Sequence, residues 1–196
     1  MANITENQIK EIVERVVSSY KGTSSANVPA EGYTSTSYNG RKFIGIFSDM
    51  NKAIEAANKG YQAIRNMTVV EREKIITAIR VLTRQEAHIM AEIGVKETKM
   101  GRVEHKRLKH ILVADKTPGT EDICPTAKTG DHGLTLIEMA PFGVVGSITP
   151  STNPSETVIC NSIGMIAAGN GVVFNPHPNA VCTSNYAVDL VNRACK

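Results

Sequence analysis

The chain has 196 residues, 41% of them hydrophobic and 21% charged, with a net charge of +3, the balance of an ordinary globular domain. Its basic residues are interspersed with acids, so it lacks the concentrated basic stripe that a nucleic-acid surface needs. No apolar run nears the ~18 residues of a membrane span, and the amino-terminal MANITENQIKEIVERVV alternates charge where a secretory signal would set a basic segment before an apolar one.

The first predicted element is an amphipathic helix over residues 4–20. Ile9, Ile12, Val13, Val16, Val17 and Tyr20 fall on one apolar face, Lys10, Glu11, Glu14 and Arg15 on the other, and Thr5 with Gln8 suits a capping box. Such a helix cannot bury its own face, so it must dock on the globular body or on a partner. Residues 21–42, rich in Ser, Thr, Gly and Asn, read as a flexible linker with a coil span of about 25 Å.

The body is expected over 43–196. Met50, Ala53, Ile54, Ala57, Tyr61 and Ile64 make a helical stripe with Ser48 as its N-cap. A third helix opens on the capping box Thr68–Glu71 and runs through Ile75, Ile76, Ile79, Leu82, Ile89 and Ile93 to about Lys96. A fourth covers roughly Arg102 to Val113, and its run Arg102, Glu104, His105, Lys106, Arg107 reads as a solvated face. Pro118-Gly119 ends the helical block.

Beyond it the pattern changes. Leu134 to Met139 reads as a strand with His132 in the turn before it. A break follows at Ala140-Pro141, and Val144 to Ile148 is a short apolar strand of the parallel, buried kind. A helix follows from Pro154, where a missing N–H is harmless, to Ala168; Gly169-Asn170-Gly171 stops it. Val172 to Phe174 is the next strand and Ser184 to Ala194 the next helix. Strand, helix, strand, helix is the beginning of a doubly wound α/β sheet, which binds ligands beyond the carboxyl ends of its strands. Two strands cannot complete such a sheet, so the fold is expected to be incomplete within this chain.

Two loops stand at those strand ends. In Thr149-Pro150-Ser151-Thr152-Asn153-Pro154, a helix start offers N–H groups to an anion, and Asn153 adds an amide of the type that steadies an oxyanion. A bland alternative is a polar turn whose Asn and Ser cap the helix. In Asn175-Pro176-His177-Pro178, His177 sits between two prolines, where it suits contact with ribose, adenine or phosphate, or else a stiff connector with a solvated histidine. Cys124, Cys160, Cys182 and Cys195 form no CxxC pair or metal spacing. That favours a reducing compartment, and each reads as a small packing residue.

The run GDHGLTLIEMAPFGVVGSITPSTNPSETVICNSIGMIAAGNGVVFNPHPNA, with KETKMGRVEHK and the TPG at Thr117 to Gly119, resembles the CoA-acylating aldehyde dehydrogenases of ethanolamine- and propanediol-type bacterial microcompartments, over about residues 45–196. The resemblance implies an aldehyde dehydrogenase-like nucleotide-binding fold. It also implies NAD-dependent oxidation of a short-chain aldehyde to its acyl-CoA, with coenzyme A as co-substrate. Asn153 matches the family's oxyanion asparagine, Thr149, Pro150 and Ser151 the loop beside the nicotinamide, and His177 and Pro178 the neighbourhood of adenine and ribose. Where the hydrolysing branches carry a lysine, this chain has Asn175. The Leu134 to Met139 strand resembles part of an oligomerisation hairpin, implying a homo-oligomer.

By the same resemblance the amino-terminal helix, with Ile9, Ile12, Val13, Val16 and Val17, is similar to encapsulation peptides. It implies a shell or cargo protein as partner and a place in the microcompartment lumen within the cytoplasm. The family's nucleophilic cysteine lies downstream of these residues. Cys160, the nearest thiol in sequence to Asn153, reads as packing, and these 196 residues alone are expected to be inactive. The competing reading is a non-catalytic module working only through its amino-terminal helix. The front of a bifunctional aldehyde-alcohol dehydrogenase fits less well, because those enzymes share the motifs loosely and are not expected to carry such a helix.

Overall fold

The computed structural model describes residues 33–196; the expected helix over 4–20, with Ile9, Ile12, Val13, Val16 and Val17, lies outside the described residues. The first described segment is a small antiparallel meander, β1 (Tyr33–Thr34), β2 (Ser37–Tyr38) and β3 (Arg41–Lys42). Tyr38 pairs with Arg41 across Asn39-Gly40, both at positive φ (46° and 76°), the backbone of a two-residue hairpin that Asn-Gly favours. The linker expectation for residues 21–42 is therefore corrected at 33–42, which form ordered structure.

Helix α1 (Met50–Ile64) is capped by Asp49, whose Oδ1 accepts from the Lys52 N–H at 3.0 Å, one residue later than the expected Ser48. Helix α2 (Val69–Thr98) starts on the expected capping box, with the Thr68 and Glu71 side chains each accepting from the other's backbone N–H. Helix α3 (Val103–Lys116) follows, then the exposed hairpin β4 (Thr126–Gly130) and β5 (Gly133–Ile137), with His132 in its turn. The sequence pattern had not marked β4, whose TAKTG has no alternating apolar set. Strand β6 (Val144–Thr149), helix α4 (Pro154–Ala167), strand β7 (Gly171–Pro176) and helix α5 (Val181–Ala194) complete the order. β6 and β7 pair in parallel from Val144↔Gly171 to Thr149↔Pro176, as the strand–helix–strand pattern anticipates.

The core lies between helices. Ile76, Ile79, Met90 and Ile93 of α2 meet Val158, Ile159 and Ile163 of α4 and Tyr186 and Leu190 of α5. Along β6, Ser147 and Thr149 face this helical layer: Ser147 Oγ accepts from the Asn161 amide of α4 at 2.9 Å, and Thr149 Oγ1 lies 3.4 Å from Ser184 Oγ of α5. The alternate residue Ile148 is 82% exposed, so the opposite face of the sheet has little cover among the described residues. α1 packs against β7 at Gly171, where an added Cβ would stand 2.7 Å from the Ala57 carbonyl oxygen.

Long-range ties fix α5. The meander is pinned to it: Arg41 and the Ile44 N–H donate to the Asp189 carboxylate (2.5 and 3.0 Å), the Asn185 amide donates to the Ser35 carbonyl (2.8 Å), and Tyr38 and Phe43 set their rings edge-on to Tyr186. At its other end, Glu97 of α2 accepts from the Cys182 and Thr183 N–H groups, both at 2.8 Å, and from the Thr183 hydroxyl at 2.6 Å. No described helix is long and apolar enough to cross a membrane.

Candidate functional site

Because β6 and β7 are adjacent and parallel, the two candidate loops leave the same end of the sheet side by side, and the His177 N–H donates to the Thr149 carbonyl at 3.1 Å. The first loop turns from Thr149 into Pro154 at the start of α4. Asn153 is the N-cap residue by position, yet its side chain makes no capping hydrogen bond. Its Oδ1 instead accepts from Lys109 Nζ at 3.0 Å. The capping alternative for Asn153 is thereby set aside, and the amide keeps its N–H donors for another acceptor.

Beneath this loop α3 carries a buried polar cluster. Lys106 Nζ donates to the Thr152 carbonyl and sits 3.4 Å from Glu156 Oε1; the two side chains are each only 6% exposed. His110 Nε2 lies 2.7 Å from Ser155 Oγ and 4.0 Å from Glu156 Oε2. Burial pulls the His110 pKa down, against an upward pull from Glu156. The charge run read as a solvated face is corrected at Lys106, which points inward because it lies on the side of α3 that also buries His110 and Ala114.

In the second loop, His177 Nδ1 accepts from the Asn179 N–H at 3.1 Å and so caps the turn Pro178–Ala180. A neutral ring accepting at Nδ1 carries its proton on Nε2 and so has a donor left over. Pro150, Asn175 and Pro178 are exposed and Ser151 and His177 half-buried. Thr149 differs from expectation: it is 1% exposed, with its hydroxyl toward Ser184 and its carbonyl used by His177. It stands behind the two loops rather than at their surface.

Residues 46–195 match the family model described as "Aldehyde dehydrogenase family". The chain belongs to the aldehyde dehydrogenase family. It is 51% identical over 150 residues to an acetaldehyde dehydrogenase (acetylating) of Bilophila wadsworthia, covering 76% of this chain and 31% of that protein. Among solved structures it is similar to a propionaldehyde dehydrogenase from the Clostridium phytofermentans fucose utilisation bacterial microcompartment, at 62% identity and TM-score 0.75, covering 76% of this chain and 34% of that one. It is also similar to the Rhodopseudomonas palustris propionaldehyde dehydrogenase with bound propionyl-CoA, at 46% identity and TM-score 0.73, covering 77% and 34%. The chain spans about a third of the length of the curated relatives it matches.

Within this family frame Cys182 and Cys160 are poorly placed to attack. Burial and the Glu97 carboxylate push the Cys182 thiol up to about 12. Cys160 is exposed, which corrects its reading as a packing residue. α4 buries Val158, Ile159, Ser162 and Ile163, leaving Cys160 on the outer side. It stands seven residues along the helix from Asn153, about 10 Å at the helical rise, too far for both to address one carbonyl group. Lys106, Lys109, His110, Ser155 and Glu156 were not singled out from sequence as site residues. The i, i+3, i+4 spacing of Lys106, Lys109 and His110 was the available signal, since it places them along one side of α3.

Proposed function

We propose that the native-length protein oxidises a short-chain aldehyde to its acyl-CoA, through a thioester on a cysteine outside these 196 residues, within a bacterial microcompartment. The observation that carries this reading is Asn153: an amide at the open start of α4, uncapped and held by its oxygen. Each acyl-transfer step passes through a tetrahedral adduct whose oxygen bears negative charge. An amide N–H and a helix amino end are the groups that stabilise such an oxygen, and a preorganised donor of this kind is worth roughly 100- to 1000-fold in rate.

The second loop fits a dinucleotide. His177 presents an Nε2–H donor between rigid prolines, and the loops' shared strand-end position suits a nucleotide laid across β6 and β7. Pro150, Ser151, His177 and Pro178 would line it, with Thr149 behind them. NAD, when bound, would supply the hydride acceptor, and coenzyme A the thiol that takes the acyl group. The exposed apolar strand β5 and Met139 support a homo-oligomer. The amino-terminal stripe Ile9, Ile12, Val13, Val16 and Val17 is assigned to a shell or cargo protein.

The test is a coupled assay on the native-length protein with NAD, coenzyme A and acetaldehyde or propionaldehyde, following NADH and acyl-CoA together. Asn153→Ala is expected to lower kcat about 100-fold with intact folding. A native mass near 21.2 kDa without turnover would replace this function with that of an interaction module.

A further inference from the structure

We propose that Lys109 is a positioning residue for Asn153, an inference that rests on the oxyanion role just assigned to that amide. An asparagine amide can present either its oxygen or its NH2 group, and only the latter stabilises an oxyanion. An ammonium has three donors and no acceptor. With Lys109 Nζ at 3.0 Å, the amide must keep its oxygen toward α3 and its N–H donors at the opposite end. The flipped amide would lose this bond and set NH2 against NH3+. A charge-assisted bond to the oxygen also draws electron density from the amide nitrogen, which strengthens its N–H groups as donors.

The neighbouring contacts give Lys109 a fixed frame to work from. Lys106, three residues earlier on α3, is buried against Glu156 and holds the Thr152 carbonyl, the residue just before Asn153. One lysine thus fixes the loop's backbone and the next fixes its amide. The division of labour follows from exposure. Lys106 is 5% exposed and belongs to the fold, whereas Lys109 lies at the surface and can be shortened without opening the core.

The experiment compares Lys109→Met, Lys109→Arg, Asn153→Ala and the Lys109→Met/Asn153→Ala double variant in the native-length protein. Lys109→Met is expected to lower kcat about tenfold, the effect of one lost charge-assisted bond, with the aldehyde KM and the melting midpoint unchanged. Lys109→Arg, which restores a donor-only cation, is expected to recover most of that loss. In the Asn153→Ala background, Lys109→Met is expected to cost nothing more, because its only route of action is gone. Full turnover by Lys109→Met beside a crippled Asn153→Ala would overturn the positioning role and leave the oxyanion assignment standing. An equal loss in both backgrounds would place the action of Lys109 elsewhere. Full turnover by Asn153→Ala would remove the oxyanion assignment and this inference with it.

Discussion

Replacing Lys106 by methionine keeps an unbranched apolar stem and removes the ammonium. Glu156 would then be left with a buried carboxylate whose described neighbours are Ser155 Oγ at 3.3 Å and His110 at 4.0 Å. His110 compensates only in part, because burial, the largest influence on it, holds its pKa down and favours the neutral ring even though the variant removes the repulsion of the Lys106 charge. The Thr152 carbonyl loses its donor as well. Removing one partner of a buried pair costs roughly 3–5 kcal/mol. For a domain of this size each kcal/mol lowers the melting midpoint by about 2–4 °C, so a fall of roughly 6–20 °C is expected. Thermal unfolding followed by circular dichroism at neutral pH measures it. The companion variant Lys106→Met/Glu156→Met removes both charges and is expected to regain most of the loss, since apolar replacement of a whole buried pair is often neutral. A single variant melting with the parent, or a double variant no better than the single, would refute the account of this cluster.

Three further outcomes are expected. Because the folded His110 pKa lies below its ordinary value of 6.5, the unfolded chain binds a proton that the folded chain refuses between those two values. Stability should therefore fall as pH drops below about 6.5, and His110→Gln should flatten that part of a pH series of urea midpoints. Gly171→Ala should destabilise by about 1–3 kcal/mol, because its methyl meets the Ala57 carbonyl at 2.7 Å and Tyr61 Cβ at 3.2 Å; a urea midpoint equal to the parent's would contradict that packing. Thr68→Ala removes the hydroxyl half of the α2 capping box and should cost about 1 kcal/mol, read from the same urea midpoints.

The elements that could be read from sequence are those whose cause is local. The Thr68–Glu71 box names both its partners within four residues, Pro154 marks a helix start by its own chemistry, and β6 and β7 are apolar runs between turn residues. What escaped depends on partners far along the chain. Lys106 is buried against Glu156, fifty residues away, and the only local hint was its spacing from His110 and Ala114 along one side of α3. The meander over 33–42 looked like linker because its core-forming partners, Tyr186 and Asp189, come about 150 residues later; Asn39-Gly40 was the local hairpin signal within it. Cys160 appeared buried by residue type, but the side of α4 it occupies is decided by how that helix meets α2 and α5. For the candidate site, the placement of Asn153 and His177 after adjacent strands was legible, whereas the inward turn of Thr149 and the grip of Lys109 depend on three-dimensional neighbours.

The reach of Glu97 to the start of α5 has a consequence for where negative charge can settle. A helix amino end carries about half a positive charge, and two such ends, those of α4 and α5, follow the strands of this sheet. The end of α5 is already met by a carboxylate that takes both its second and third N–H groups. An anion approaching there finds its donors used and a like charge in their place. α4 also has a carboxylate in its first turn, Glu156, but Lys106 stands 3.4 Å from it and offsets its charge, and no side chain caps the helix at Asn153. The two helix ends thus differ electrically. Under the function proposed above, the Asn153 end is the one left for a developing negative charge, while the His177 side, next to the neutralised helix, would take the uncharged sugar and base of a nucleotide.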